Sequence, residues 1–221
     1  MIASWVDDLP AFLREHFQRA PFARPATARR AIRLLTWDTV GRLVEAGADM
    51  LVVRNGKLVH GLVNDRPHTF AEALTLFRDG HSLVLRRCEK HDPALRALAD
   101  SVEAEFEGDV SIQVYATPRD FHSFGWHYDC EDVFIAQTLG RKEYFLRANT
   151  VNPEPHIERM PRDMHYERET TPTVASTLEP GDWLYVPRGW WHVARAYEDS
   201  LSISIGVLSP AAGGKRSVAG C

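Results

Sequence analysis

His127-Tyr128-Asp129 opens the stretch FGWHYDCEDVFIAQTLGRK, and an imidazole and a carboxylate two positions apart form a metal-binding pattern. On a β-strand, residues i and i+2 project from the same side. His127 and Asp129 can therefore face one interior while Tyr128 faces away. A catalytic non-haem iron takes two imidazoles and one carboxylate on one face and leaves the other face open. The third ligand must come from a distant strand. His192 closes EPGDWLYVPRGWWH, a turn, a short apolar strand and a second turn, which can present a histidine rigidly at a barrel mouth. Zinc or nickel would suit the same donors. His165-Tyr166-Glu167 repeats the spacing but lies in a polar stretch with no apolar strand behind it. His16, His60, His81 and His91 stand beside helix or turn signals and read as structural or surface groups, and His122 as a mouth or structural residue.

The elements that must carry these groups fall into two halves. VSIQVYATP, DVFIAQTLG, KEYFLRAN, DWLYVPRG and LSISIGVLS are short runs rich in β-branched and aromatic residues, punctuated by Gly, Pro and Asp. That is the pattern of a jelly roll or barrel. Upstream, DDLPAFLREHFQRAPF puts Leu9, Phe12, Leu13 and Phe17 on one helical face before Pro21. TWDTVGRLVEAG and TFAEALTLFRDG read as helices stopped at Gly47 and Gly80. DPALRALADSVEAEFEG has Asp92 as N-cap, Pro93 in the first turn and Gly108 as C-cap. DMLVVRNGKLVHGLV reads as a hairpin around Asn55-Gly56, and SLVLRRC as a buried strand. The expected fold is mainly β, a cupin-type jelly roll with an N-terminal helical preface. One domain spans 1–208: 1–110 is mostly helical with a hairpin, and 111–208 is the jelly-roll core. Residues 209–221 form a flexible tail, and the polar, proline-rich 152–172 is a lid over one mouth.

At 221 residues, 44% apolar and 25% charged, the chain can bury a core without disulfides or a structural metal. Its net charge of −4 gives no general attraction for nucleic acid or an anionic membrane, so neither is an expected partner. Three scattered cysteines make no disulfide framework. The N-terminus lacks the basic and apolar regions of a signal peptide, and no run is long enough to span a membrane. These features read as a reduced, cytoplasmic protein.

VYATP, FGWHYDCEDVFIAQTLGRKEYFLR and LEPGDWLYVPRGWWHVARAYEDSLSISIGV together resemble the cupin-like branch of the JmjC oxygenases, which includes ribosomal-protein arginine and histidine hydroxylases. The preface is similar as well. The resemblance implies a double-stranded β-helix that uses Fe(II), with 2-oxoglutarate as co-substrate. It makes His127, Asp129 and His192 the iron ligands and pairs Lys142 with the distal carboxylate of 2-oxoglutarate, assisted by Tyr115 and by Ser202 or Ser204. A dicarboxylate chelating a metal at one end leaves its other carboxylate in a partly dry pocket, where a cation and hydroxyl donors are needed. Gln113 departs from the family's asparagine, and the chain ends soon after ISIGVLSP, so the C-terminal dimerisation and winged-helix-like regions are not expected to transfer, nor is ribosomal-protein specificity.

The implied activity is a dioxygenase that consumes dioxygen and hydroxylates a C–H bond, chiefly on an amino-acid side chain of a peptide or protein. A free amino acid or small metabolite is the alternative substrate. A metal-dependent cupin enzyme that does not use 2-oxoglutarate, and a binding module without catalysis, are the competing classes; a cation at Lys142 separates the first of them. Asp120, His122, Trp126, Glu131, Arg188, Trp190 and Trp191 are candidates for the substrate mouth. The sequence leaves oligomeric state open.

Overall fold

The computed structural model describes residues 3–59, 67–151 and 166–209. Its helices start where a capping side chain meets an amphipathic run. After the short α1 (Ala3–Val6), α2 (Leu9–Glu15) begins with Asp8 accepting from the Ala11 N–H, and buries Phe12. Thr36 and Thr39 form a reciprocal capping box on α3 (Trp37–Glu45), as do Thr69 and Glu72 on α4 (Phe70–Arg78). Asp92 accepts from the N–H groups of Ala94 and Leu95 to start α5 (Pro93–Glu103). This helix stops short of Gly108, the expected C-cap. Gly108 has φ 151°, and a Cβ there would lie 2.6 Å from the Leu208 carbonyl oxygen, so both the backbone angle and the close approach call for glycine.

The strands are β1 (Phe22–Arg24), β2 (Asp49–Arg54), β3 (Lys57–Leu58), β4 (Ser82–Arg86), β5 (Asp109–Thr117), β6 (Asp132–Leu139), β7 (Lys142–Arg147), β8 (Val174–Leu178), β9 (Trp183–Val186), β10 (Trp191–Ala196) and β11 (Ser200–Leu208). They form an eight-stranded sheet in the order β1-β9-β6-β11-β5-β4-β2-β3 and a three-stranded sheet in the order β10-β7-β8. Every neighbouring pair is antiparallel. From β5 onward the chain winds between the two sheets as a jelly roll. A backbone bridge between His127 and His192 stands where a further strand would extend the smaller sheet.

The preface supplies the expected hairpin strands β2 and β3 and the expected buried strand β4, and it adds β1, which the sequence reading did not include. It adds β4, β2 and β3 beyond β5, and β1 beyond β9, so the larger sheet is built by both halves of the chain. Unpaired backbone groups along β5 and β9 demand partners, and these segments supply them. The Asn-Gly hairpin is as expected, with Asn55 at φ 49° and Gly56 at φ 75°.

Two apolar clusters result. One joins the preface to the larger sheet through Trp5, Phe12, Leu43, Leu95, Ile112 and Trp183. The other lies between the two sheets and contains Val133, Ile135, Tyr144, Leu146, Leu178 and Leu184. β6 contributes to both, which explains its nearly unbroken apolar run. Burial pushes the Cys88 thiol up to about 12, aided by Glu89, so this sulfur stays protonated. No helix among the described residues is long and apolar enough to cross a membrane.

Candidate metal centre

His127, Asp129 and His192 each offer a donor atom, and the three lie within 4.8 Å of one another. His127 N–H donates to His192 O at 3.2 Å, and His192 N–H donates to His127 O at 2.8 Å. This bridge sets the two imidazoles side by side, with centroids 4.2 Å apart. Asp129 Oδ2 lies 3.4 Å from His192 Nε2. Gly189 N–H donates to the Asp129 carbonyl at 2.8 Å, so the turn before β10 also holds the carboxylate's backbone.

Each imidazole is oriented from behind. Nδ1 of His127 donates to Gly125 O at 2.8 Å, and Nδ1 of His192 donates to Trp190 O at 3.0 Å. That fixes the tautomer and leaves Nε2 unprotonated for a metal. Burial, then the neighbouring His127, hold the His192 pKa down to about 4 against the pull of Asp129. Neutral imidazole is the ligating form. The donor set fits a divalent transition metal of the two-histidine, one-carboxylate kind.

Distant parts of the chain brace this centre. A Cβ on Gly56 would come 3.1 Å from Gly125 N and 3.5 Å from His122 Nε2, so the β2–β3 hairpin tip abuts the loop that orients His127. Asp132, fully buried, accepts from the Tyr185 hydroxyl, from Gln18 Nε2 at 3.1 Å and from Arg188 N–H at 3.3 Å. This network fixes the turn that leads to His192.

The centre opens into a cavity whose lining includes Tyr115, Lys142, Ser202 and Ser204 together with the three donors. The structure thus brings all seven sequence-selected residues around one space. Lys142 is 3% exposed, and its Nζ donates to Thr117 Oγ1 at 3.1 Å. Nζ lies 5.4 Å and 5.6 Å from the ring centroids of Tyr115 and Tyr144. Burial alone depresses its pKa, to about 8, and no carboxylate among the described residues pairs with it. The Tyr115 hydroxyl donates to Gln113 Oε1 at 3.0 Å, so Gln113 acts behind the tyrosine. Burial raises the pKa values of Tyr115 and Tyr144.

Among the polar residues missed from the sequence, Ser123 and Tyr144 line the cavity, and Thr117 touches Lys142. Thr117 follows Tyr115 by two and Tyr144 follows Lys142 by two, so strand alternation was an available signal. Of the mouth candidates, Trp126 stacks on Tyr166 with centroids 4.1 Å apart and planes 7° apart. Trp191 is buried against Tyr128, which packs edge-on to it outside the cavity, while Trp190 packs on the cluster between the sheets. Asp120 lies toward solvent beside Arg119 and Arg195. Glu131 folds over Gly206, its carboxyl pushed up to about 7 by burial and by Asp129.

Residues 152–165 of the expected lid, including His165, lie outside the described residues. At its base, buried Glu169 accepts from the Thr150 N–H and hydroxyl, both at 2.6 Å, and from the N–H groups of Val151, Thr170 and Thr171. Arg147 donates to the carbonyls of Thr171 and Glu169, so both flanks of the segment are clasped.

A jelly roll with two histidines and a carboxylate at one mouth defines a metal-dependent cupin-type protein. Residues 89–213 match the JmjC domain model, and the chain belongs to that family. The Drosophila persimilis protein named bifunctional lysine-specific demethylase and histidyl-hydroxylase NO66 is 26% identical over 89% of this chain and 29% of its own. Ribosomal oxygenase 1 of Rattus norvegicus is 29% identical over 61% of this chain and 23% of its own. The chain therefore spans only about a quarter of these relatives. The structure of the Escherichia coli ribosomal oxygenase YcfD with cobalt and 2-oxoglutarate superposes with TM-score 0.62 at 21% identity, over 93% of this chain and 52% of that one. That likeness establishes the jelly-roll fold.

Proposed function

We propose that this protein is an Fe(II)- and 2-oxoglutarate-dependent dioxygenase that hydroxylates a C–H bond on an amino-acid side chain of a peptide or protein. The observation that carries the reading is Lys142, a buried cation without a carboxylate partner among the described residues, in a cavity that also opens on the His127–Asp129–His192 centre. A 2-oxoglutarate molecule needs such a pair of anchors, a metal for its keto-acid end and a cation for its far carboxylate. A cupin enzyme that handles no dicarboxylate has no use for the second. The names of the relatives, histidyl-hydroxylase and ribosomal oxygenase, support a protein substrate.

Bound iron would supply the oxidising chemistry in which 2-oxoglutarate, dioxygen and a C–H bond become succinate, CO2 and a C–OH group. The chain's own residues prepare for it. His127, Asp129 and His192 would hold the metal, with Gly125 O and Trp190 O keeping each imidazole's Nε2 free. Lys142, with Thr117 beside it, would bind the distal carboxylate, and the Ser202 hydroxyl stands next to Tyr144 to complete the donor set. Apolar Val133, Ile135 and Phe124 line the same cavity and keep it poor in water.

The test is anaerobic titration with Fe(II) and 2-oxoglutarate, followed by succinate measurement on admitting oxygen. Succinate should form in the parent and fall to background in His127→Ala. Lys142→Ala should weaken 2-oxoglutarate binding far more than iron binding. Equal weakening of both, or no succinate above the His127→Ala control, would overturn the reading.

A further inference from the structure

We infer that Arg24, Arg29, Arg30 and Arg33 form a docking track for the phosphodiester backbone of a nucleic-acid strand, apart from the metal centre. The inference goes beyond the oxygenase reading and does not rest on it.

The chain's net charge of −4 conceals a basic segment: residues 14–33 hold six arginines, one glutamate and no lysine or aspartate. The later four of these arginines follow the edge of the larger sheet. β1 is the edge strand, and Arg24 at its end pairs with Trp183 of β9. Two residues before Trp183, Gly181 meets the next part of the segment, the 3-10 helix Arg29–Arg33. The Ala28 N–H donates to the Gly181 carbonyl at 2.9 Å. Gly181 has φ 98°, and a Cβ on it would lie 3.1 Å from Arg29 Cγ, so the arginine stem is laid across the turn. Arg29, Arg30 and Arg33 line one concavity there, and none of the four arginines lines the metal cavity.

Arg29, Arg30 and Arg33 are exposed, and no ion pair among the described residues engages them. Asp182, in the same turn as Gly181, spends its two carboxylate oxygens on the N–H groups of Ala26 at 2.7 Å and Glu179 at 2.9 Å. It shapes the loop that leads to the arginine helix. Arg24 pairs with Asp7 at 3.1 Å, an exposed contact that an incoming phosphate can displace at little cost. In a 3-10 helix residues i and i+3 eclipse, so Arg30 and Arg33 stand on one face and repel each other. An external polyanion relieves that repulsion.

The chemistry of the track selects phosphate. A guanidinium is a rigid fork that grips two phosphate oxygens at once. A protein partner would need an apolar or aromatic anchor at the contact. None of the exposed large apolar side chains, Leu13, Leu58, Leu139 and Val174, lies on β1 or on this helix. A run of cations without an apolar centre binds the nucleic-acid backbone irrespective of sequence.

Fluorescence anisotropy with labelled oligouridylate, at salt from about 50 to 200 mM, tests the track. The parent should bind with a Kd between about 10⁻⁶ and 10⁻⁴ M, and four phosphate contacts should give a log–log salt slope of about −3. The triple variant Arg29→Gln, Arg30→Gln, Arg33→Gln should bind at least about tenfold more weakly at the lowest salt, with the slope reduced to about −1. The corresponding triple lysine variant keeps the charge and should keep the slope. Oligothymidylate should bind like oligouridylate, because the backbone is what is read. Oligoglutamate of the same charge should bind far less; equal binding would make this a site for acidic protein and overturn the assignment. So would a parent that binds neither oligonucleotide, or a glutamine variant that binds as the parent does. 2-Oxoglutarate affinity, measured on every sample, should be unchanged. If the triple glutamine variant loses it, the single substitutions Arg30→Gln and Arg33→Gln decide, each expected to lower the slope by about 0.7. Succinate formation is scored separately, so failure of the dioxygenase reading leaves these outcomes untouched.

Discussion

Lys142 and Thr117 meet through one hydrogen bond, Nζ to Oγ1 at 3.1 Å, and that neutral hydroxyl is the ammonium group's hydrogen-bond partner among the described residues. An uncompensated buried charge is expensive. Lys142→Met retains the apolar stem and removes the charge. The ligand-free protein should gain about 1–3 kcal/mol, read from the denaturant midpoint, while the Kd for 2-oxoglutarate rises at least about thirtyfold. A variant with unchanged stability and unchanged affinity would refute both halves.

The same residue predicts a pH dependence. Burial lowers the folded pKa of Lys142 to about 8 from 10.5, so between those values the unfolded chain holds a proton that the folded one lacks. Stability contributed by this group therefore rises as pH goes from about 8 to about 10.5, and is lower below that window. Affinity for 2-oxoglutarate runs the other way, falling as pH climbs through about 8 and the cation disappears. Isothermal titration at pH 7, 8 and 9 should show that fall in the parent and a flat profile in Lys142→Met.

Metal loading should be visible as stability. Mn(II) at about a hundred times its Kd contributes about 2.7 kcal/mol to a folded protein that alone binds it. For a chain of this size the melting temperature should rise by about 5–10 °C. EDTA should reverse the shift, and His127→Ala or Asp129→Ala should abolish it. A shift that survives both substitutions would place the ion elsewhere.

Glu169 is predicted to be a clasp. Burial pushes its carboxyl pKa up, but donations from the Thr150 side chain and backbone, then from Thr171 and Thr170, outweigh burial and hold it at about 2. Its contribution is thus present above the ordinary carboxylate value of 4.5 and is lost as pH falls toward about 2. Glu169→Ala strands five donations and should cost about 1–3 kcal/mol at neutral pH. Hydrogen exchange should show faster exchange at Val151, Thr170 and Thr171, with β5 and β11 unaffected.

The legibility of this protein was uneven for physical reasons. His127, Asp129 and His192 could be selected because strand alternation and turn chemistry are local signals. Lys142 stood out through the block it shares with a known family. Alternation puts Thr117 on the face of Tyr115, but its contact with Lys142 arises from how β5, β11 and β7 are brought together rather than from nearby sequence. β1 is three residues of little pattern, and it becomes a strand through the open edge of β9. Glu131 was visible as a mouth residue, but its direction depends on the missing side chain at Gly206 on another strand.

His127 and His192 are backbone partners as well as candidate ligands, joined by reciprocal hydrogen bonds of 3.2 Å and 2.8 Å. The separation of the two imidazoles is therefore dictated by sheet pairing and does not wait for an ion to draw two loops together. Such a preorganised pair should capture its metal without a detectable conformational phase, and exchange one ion for another at a rate governed by bond breaking at the donors.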